Sequence, residues 1–270
     1  RFYLRRTLRI FPAFYVYLAV VLLLSVTGLH REDPSTFLTA ATYSIVYHPH
    51  PQGWLLEHAW SLSIEEQFYL LWPVLLLIAI RRGVAIRLAI IVLAAMPILR
   101  ALLFVAWGDP HRLIVNCSSI DMLMAGCLLA LLSVHPNWRR WCERFLTAWS
   151  VAALAALALV FLPHADAKLA GTLFAVASAA LGYTLTALSI AAVLEYLVRT
   201  PHSLPGRVLN LHAVRHIGAI SYSIYLWQQL FTESPVSLGI LTYALIFIAA
   251  ELSFWLIEKP MMQLRTHLGL

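Results

Sequence analysis

Two adjacent carboxylates, Glu65 and Glu66, stand within the apolar segment HAWSLSIEEQFYLLWP, residues 58–73. An ionisable side chain costs about 2.5–3.5 kcal/mol at the centre of a membrane helix, so such residues are kept mainly where they have a function. Carboxylates in this position can line a wet cavity, donate as neutral acids, or join helices through an ion pair. We favour a functional site, because several polar groups fall within two helical turns.

The helical spacing separates these two carboxylates. Residues three or four apart lie on one face of a helix, whereas adjacent residues lie about 100° apart. One face of the predicted helix therefore holds His58, Ser61, Glu65 and Tyr69. We expect Glu65 to face a reaction chamber and Glu66 to pair with a neighbouring helix.

A second polar cluster opens the chain in RFYLRRTLRIFP, residues 1–12. Arg5, Arg6 and Arg9 precede the first long apolar segment. Topology explains any one of these arginines, because basic residues favour the cytoplasmic side of a membrane protein. An anion site is the alternative, because the guanidinium fork matches phosphate geometry.

Further polar residues lie inside apolar segments later in the chain. Arg100 and Asp121 predict a structural ion pair, and Glu258 predicts a structural pair with a basic residue. The segment ISYSIYLWQQLF, residues 220–231, combines tyrosines with paired glutamines. These groups predict either interhelical hydrogen bonds or a polar site.

The elements that must position these residues are membrane helices. Hydrophobic residues make up 61% of the 270 residues and charged residues only 12%, with a mean hydropathy of +0.79. A soluble domain is about half apolar and a quarter charged. Because a backbone in lipid must satisfy its own hydrogen bonds, we predict an all-α, polytopic transmembrane helix bundle. About eight spans are expected, at 11–28, 59–80, 84–107, 120–134, 148–163, 170–197, 218–234 and 238–257.

Basic residues predict the orientation of this bundle. Alternate connections carry 15 of the 19 lysines and arginines, and the opposite connections carry only Arg31, Arg112 and Lys168. Positive residues favour the cytoplasmic side, so both ends of the chain are predicted to be cytoplasmic. The net charge of +6 then reflects topology, and its spread over five connections argues against nucleic-acid binding.

The longest non-cytoplasmic connection, residues 29–57, predicts either a functional loop or a lid packed on the helices. It contains His48 and His50, which with His58 match no zinc spacing, so no metal site is predicted. The three cysteines are too scattered for a disulfide framework and are expected to be packing residues. They are Cys117, Cys127 and Cys142.

The order of these segments resembles the membrane-bound acyltransferase family 3, which includes O-acetyltransferases of lipopolysaccharide, peptidoglycan and other cell-envelope carbohydrates. The resemblance covers nearly the whole chain, and HAWSLSIEEQFYLLWP is its most specific block. The other blocks that carry it are RFYLRRTLRIFPAFY, SSIDMLMAGCLLALL, IGAISYSIYLWQQLF and ELSFWLIEKP.

The resemblance implies an integral membrane enzyme that moves an acyl group, by family default acetyl, from cytoplasmic acyl-CoA to a hydroxyl of an extracytoplasmic carbohydrate or glycolipid. It implies a location in the bacterial inner membrane. Arg5, Arg6 and Arg9 would bind acyl-CoA as the donor. The implied catalytic block holds His58, Ser61, Glu65 and Glu66, and the implied substrate-binding block holds Tyr222, Trp227 and Gln228.

One departure from the family concerns its essential histidine, which lies in a helix that would precede Arg1. We therefore expect residues 1–270 to form a single transmembrane acyltransferase domain that lacks one or two N-terminal helices. These helices are expected partners, and the chain alone is expected to be inactive. Two alternatives remain at this point: a transporter or flippase that uses buried carboxylates as a proton relay, and a non-catalytic membrane subunit.

Overall fold

All regular structure that the computed structural model describes is helical. It describes residues 1–48, 53–107, 120–161, 172–232 and 239–267. His50 and Cys117, whose roles were predicted from the sequence, lie outside these ranges. The helices in chain order are α1 (Phe2–Val26), α2 (Pro34–Ala41), a 3₁₀ turn (Ile45–Tyr47), α3 (Ala59–Arg81), α4 (Ala85–Trp107), α5 (Ile120–Ser133), α6 (Trp138–Phe145), α7 (Ala148–Val160), α8 (Thr172–Arg199), α9 (Leu204–Leu209), α10 (His212–Thr232), α11 (Ile240–Ser253), a π-helical turn (Phe254–Glu258) and α12 (Lys259–His267).

Within the described ranges, five helical segments are long and apolar enough to cross a membrane, so the protein is a multi-pass membrane protein. A segment of 22–27 residues spans roughly 33–40 Å, more than the hydrocarbon layer of about 30 Å. The candidate spans are Phe2–Val26, Ala59–Arg81, Ala85–Ala106, Leu173–Arg199 and Ile240–Leu264.

The expected number of eight spans is not reached by these criteria. The α5 helix has only 14 residues, and it makes a sixth candidate only if α6, bent from it by 114°, is counted with it. The α7 helix has 13 residues. The α10 helix is long enough, but Arg215, His216 and the paired glutamines dilute its apolar character. The α5, α7 and α10 segments are helical as predicted, but each is too short or too polar to count as a span by itself. This accounts for the lower number of spans.

The described residues form two compact units, Arg1–Leu70 with Leu209–Leu270, and Leu71–Val208. In the first unit, α1 contacts α10, the π-helical turn and α12. Its core is aromatic and aliphatic, with Phe14, Tyr17, Leu56 and Leu226 fully buried. The Tyr17 hydroxyl donates to the carbonyl of Leu55 at 2.7 Å. This bond joins α1 to the segment that leads into α3.

The connection between α1 and α3 is packed against the helices in its described part, residues 27–48 and 53–58. Asp33 caps α2 by accepting the N–H of Thr36 at 2.9 Å. The Glu32 side chain is 1% exposed and accepts the N–H of Leu55 at 3.1 Å. Gly53, with φ +110°, lies directly against the Glu32 carboxylate. These contacts support the interpretation of this connection as a packed lid.

In the second unit, α4, α5, α7 and α8 pack together around a buried ion pair. Arg100 and Asp121 are both fully buried, and their side chains meet at 2.8 Å. Arg100 also donates to the carbonyl of Ala180 at 3.0 Å and to the hydroxyl of Thr184 at 2.5 Å. The ion pair predicted from the sequence is therefore present, and it links α4, α5 and α8.

Candidate functional site

A pocket of about 300 Å³ opens in the first unit, where α1, α3 and α10 meet. Its wall combines arginines, a carboxylate and hydroxyl groups with two aliphatic side chains. The three helices contribute segments that are far apart in sequence, so only the fold brings these groups together. The lining residues are Arg6, Arg9, Ile10, Ser61, Leu62, Glu65, Ser221, Tyr222 and Tyr225.

Arg6 is held from two sides at the wall of this pocket. Its guanidinium donates to the Glu65 carboxylate at 3.1 Å and lies over the Tyr69 ring, 3.6 Å from the ring centroid. The Tyr69 hydroxyl donates to the same carboxylate oxygen at 3.4 Å. Because Glu65 and Tyr69 are one helical turn apart on α3, both of their side chains can contact Arg6.

Ser61 and Tyr225 form a hydrogen-bonded pair of hydroxyls across the pocket. Their oxygens are 2.5 Å apart. The Tyr225 hydroxyl donates to the carbonyl of His58 at 2.6 Å, so its oxygen is the acceptor for the Ser61 hydroxyl. This network fixes α10 against the start of α3.

Two further bonds set the position of α10. The Tyr222 hydroxyl donates to the carbonyl of Ile10 on α1 at 3.0 Å. The amide of Gln229 donates to the carbonyl of Trp54 at 2.9 Å. Polar groups on one face of α10 therefore bond to α1 and to the lid, which orients the tyrosines in the pocket.

Glu258 lies in the π-helical turn and is close to Arg9, which lines the pocket. Its side chain is buried and accepts a hydrogen bond from Ser223, and Arg9 is the cation that acts on it electrostatically. The predicted basic partner is thus near, although the direct bond goes to Ser223. A π-helical turn widens a helix locally and is frequent at functional sites.

The sequence model of the acyltransferase domain family matches residues 1–258. This match covers more than nine-tenths of the chain and includes α1, α3 and α10, which build the pocket. The chain belongs to acyltransferase family 3. Membership in this family does not favour the transporter alternative.

The chain is also similar to curated O-acetyltransferases. Peptidoglycan O-acetyltransferase OatA of Listeria monocytogenes is 28% identical over 300 residues, which cover 96% of this chain and 46% of the relative. O-acetyltransferase OatA of Staphylococcus aureus is 27% identical over 227 residues, which cover 76% of this chain and 36% of the relative. The chain therefore spans less than half the length of these relatives. No solved structure matches the chain.

The pocket of this family member contains only some of the residues predicted from the sequence. Arg6, Arg9, Ser61, Glu65 and Tyr222 line it, and the shared face of Ser61, Glu65 and Tyr69 is confirmed by their contacts. The predicted residues that do not line the pocket are Arg5, His58, Glu66, Trp227 and Gln228.

These five predicted residues, which do not line the pocket, have different environments. Arg5 is exposed and Gln228 is half-buried. Trp227 packs edge-on against Tyr17, with ring centroids 5.4 Å apart. Glu66 forms no ion pair within the described ranges, although Arg6 attracts its charge at longer range. The expected partner of Glu66 on a neighbouring helix is therefore not found among the described residues.

His58 lies behind the pocket, just before α3 begins. Its ring packs edge-on against Tyr17 and Tyr225, with centroids 5.5 and 5.3 Å away. Burial lowers the pKa of His58 to about 4, and the nearby carbonyls of Leu226 and Leu55 offset only part of this effect. The imidazole is therefore neutral at physiological pH.

Two polar residues that line the pocket, Ser221 and Tyr225, were not among the site residues predicted from the sequence. The helical spacing contains a signal for Tyr225, because it lies three residues after Tyr222 and thus on the same face. Trp227 is five residues from Tyr222, which turns it about 140° away. Applying helical periodicity to α10 as well as to α3 would have selected Tyr225 over Trp227.

The chemistry that this pocket can support follows from its groups. Two guanidinium groups can hold an anion such as a phosphate. Hydroxyls from Ser61, Tyr222 and Tyr225 can bond a polar substrate, and Glu65 can carry a charge beside them. Among the described residues, no group of three or more His, Cys, Asp or Glu side chains is arranged to hold a metal ion.

Proposed function

We propose that the protein transfers an acetyl group from cytoplasmic acyl-CoA to a hydroxyl of an extracytoplasmic carbohydrate, and that it uses the upstream helices that the family resemblance implies. The observation that carries the proposal is the pocket that places Arg6 and Arg9 beside Ser61, Glu65 and the α10 tyrosines. It combines an anion-binding end with a hydrogen-bonding end, which a phosphate-bearing donor and a hydroxylated acceptor both require.

The donor end is formed by the arginines of α1. Acyl-CoA carries several phosphates, and Arg6 and Arg9 present guanidinium groups to the pocket. Arg6 keeps donor capacity, because the Glu65 contact uses only one terminal nitrogen and a guanidinium has five N–H donors. Tyr69 and Glu65 fix its direction, so less conformational entropy is lost when an anion binds.

The acceptor end is formed by hydroxyl groups and one carboxylate. In the transfer, the thioester C–S bond breaks, a C–O bond forms to the acceptor oxygen, and CoA leaves as a thiolate that takes up the proton removed from the acceptor hydroxyl. We propose that the hydroxyl proton goes first to the upstream histidine that the family resemblance implies. Glu65 would orient the acceptor or hold the protonated histidine, and general-base work of this kind contributes about 10²–10⁴-fold.

The names of the relatives support a proposal for the acceptor class. The relative from Listeria monocytogenes is named as a peptidoglycan O-acetyltransferase, and we infer that a cell-wall glycan is the acceptor here. We propose that the protein lies in the bacterial inner membrane, with residues 29–57 facing the acceptor and residues 134–147 facing the cytoplasm. Trp227 and Gln228 remain proposed contacts of the acceptor, and Arg5 a proposed contact of the donor.

The test is acyl-CoA binding by the full-length protein in detergent. Arg6→Ala combined with Arg9→Ala should weaken acetyl-CoA binding at least tenfold, because each charge-assisted hydrogen bond contributes about 1.5–3 kcal/mol. Arg6→Lys should restore binding only in part, because lysine lacks the bidentate fork. Isothermal titration gives the affinity, and mass spectrometry of cell-wall glycan gives the acetylation.

The matched control is Arg87→Ala, which removes an exposed arginine near the start of α4 without touching the pocket. It should bind acetyl-CoA as the unchanged protein does. Unchanged affinity in the Arg6 and Arg9 variant would reduce these arginines to topological anchors. Loss of acetylation with unchanged acetyl-CoA binding would instead move the donor site elsewhere.

A further inference from the structure

We propose that α6 lies at the membrane–water interface and binds the phosphate of anionic phospholipid headgroups through Arg140 and Arg144. The proposal is independent of the acyl-transfer site, because α6 and all contacts used here belong to the second unit. It concerns the sequence WRRWCERF, residues 138–145.

The direction of α6 places it across the apolar helices beside it. It is bent by 114° from α5, and both α5 and the following α7 are strongly apolar. A polar eight-residue helix between two apolar helices, turned by about a right angle, has the position of an interfacial helix. The sequence also predicts this connection on one membrane face, from its three arginines.

One face of α6 is anchored to α8. The indole N–H of Trp138 donates to the Glu195 carboxylate at 2.9 Å, and Cys142 is buried beside it, with its sulfur 3.8 Å from the same oxygen. Arg199 donates to that oxygen at 2.5 Å. Glu195 therefore fixes the orientation of α6 around its own axis.

The aromatic side chains of α6 lie beside this anchored face, where Trp141 stacks on Trp138 with ring centroids 5.2 Å apart, and the basic side chains lie farther round the helix. Trp141 and Phe145 form an aromatic row, each about half exposed and 5.4 Å apart between ring centroids. Arg140 and Arg144, also one turn apart, form a basic row beside it, and both are exposed. Aromatic side chains at the acyl boundary beside arginines at phosphate level are the arrangement of a lipid-binding interfacial helix.

The two arginines of the basic row, Arg140 and Arg144, are available to bind an anionic ligand. Arg139 is paired with Glu143 at 2.9 Å and Arg199 with Glu195. Within the described parts of the chain, Arg140 and Arg144 form no ion pair with a carboxylate, and Arg144 only covers the Phe145 ring at 5.3 Å. A negatively charged headgroup complements these two charges, whereas a zwitterionic headgroup brings its own cation.

Native mass spectrometry of the purified full-length protein tests this, with phosphatidylglycerol and phosphatidylcholine of identical acyl chains as probes. The protein should retain phosphatidylglycerol in excess over phosphatidylcholine. Arg140→Ala combined with Arg144→Ala should lower phosphatidylglycerol affinity roughly tenfold or more, since each basic residue near an anionic surface contributes about 1 kcal/mol. Phosphatidylcholine binding should not change.

The matched control is Arg81→Ala combined with Arg82→Ala, which removes two exposed arginines at the end of α3. An equal loss of phosphatidylglycerol in this control would show an effect of net charge and overturn the site. Displacement of the lipid by glycerol 3-phosphate at equal concentration would assign the arginines to a soluble phosphate compound and also overturn it. Should the α6 variant fail to fold, phosphatidylglycerol binding that does not fall in 0.5 M salt would contradict the proposal.

Discussion

At the scale of single residues, the Arg6–Glu65 pair links the two sets of polar residues that define the site. The pair joins positions 59 apart in the sequence, one in the predicted donor segment and one in the predicted catalytic segment. An anion that enters the pocket therefore either displaces the Glu65 carboxylate from Arg6 or binds Arg6 beside it. Donor binding and the charge of Glu65 are coupled as a consequence.

Glu65→Gln and Glu66→Gln should affect the protein in different ways. Glu65→Gln keeps the size of the side chain but loses its charge, so acetylation should fall strongly. The melting temperature should change little, because the Arg6–Glu65 pair is about one-third exposed and such pairs contribute about 0–1 kcal/mol. Glu66→Gln should leave the melting temperature unchanged or raise it, because no described cation pairs with Glu66.

The measurements are glycan acetylation and a melting curve in detergent for each variant. Full activity of Glu65→Gln would remove Glu65 from the site. A melting temperature several degrees lower for Glu66→Gln would restore the sequence-based expectation of a buried ion pair, whose loss costs about 3–5 kcal/mol. Both variants are isosteric, so each serves as the steric control of the other.

At the scale of elements, the packing of the described part of the connection between α1 and α3 depends on one glycine. Gly53 adopts a left-handed backbone with φ +110°, and a β-carbon there would lie 1.7 Å from a Glu32 carboxylate oxygen. Glu32 in turn holds the backbone of Leu55, three residues before His58. The lid and the start of α3 are thus joined through Glu32.

Gly53→Ala should destabilise the protein by at least about 2 kcal/mol, because it adds a clash with Glu32 to the strain of a left-handed backbone. Gly28→Ala is the matched comparison: its φ is +75°, and no atom lies within 4 Å of the added methyl group. It should cost only about 1 kcal/mol of backbone strain. Equal melting temperatures of the two variants would show that Glu32 moves aside without cost.

At the scale of the whole molecule, the distribution of basic residues is the strongest indicator of orientation. The 15-to-3 division between alternate connections does not depend on the exact helix boundaries. It predicts that residues 29–57 lie outside the cytoplasm and that the connection around α6 lies inside it. The structure supplies exposed positions at which this can be measured.

Leu38→Cys and Val134→Cys, made in a background without the three natural cysteines, should label from opposite sides. Leu38 is 64% exposed and Val134 is 80% exposed, so both thiols can react. A membrane-impermeant maleimide should label Leu38→Cys on intact cells and Val134→Cys only after permeabilisation. The reverse pattern would invert the proposed topology, and labelling of both on intact cells would show that α3, α4 and α5 do not separate these sites as predicted.

The sequence by itself determined the all-helical membrane architecture, the family and the face of α3 that carries Ser61 and Glu65. These properties depend on composition and on a period of 3.6 residues, which are local and need no knowledge of neighbours. Burial of Arg100 with Asp121 was also predictable, because two opposite charges in lipid have few other partners.

Only the tertiary structure decided which helices meet and which face of α10 enters the pocket. The contacts of Arg6 with Glu65 and of Ser61 with Tyr225 join residues 59 and 164 positions apart. Local periodicity cannot specify such pairs, because helix packing depends on the complementary surfaces of whole helices. Trp227 was predicted from the family resemblance, whereas the structure packs it against Tyr17 and shows Tyr225 lining the pocket.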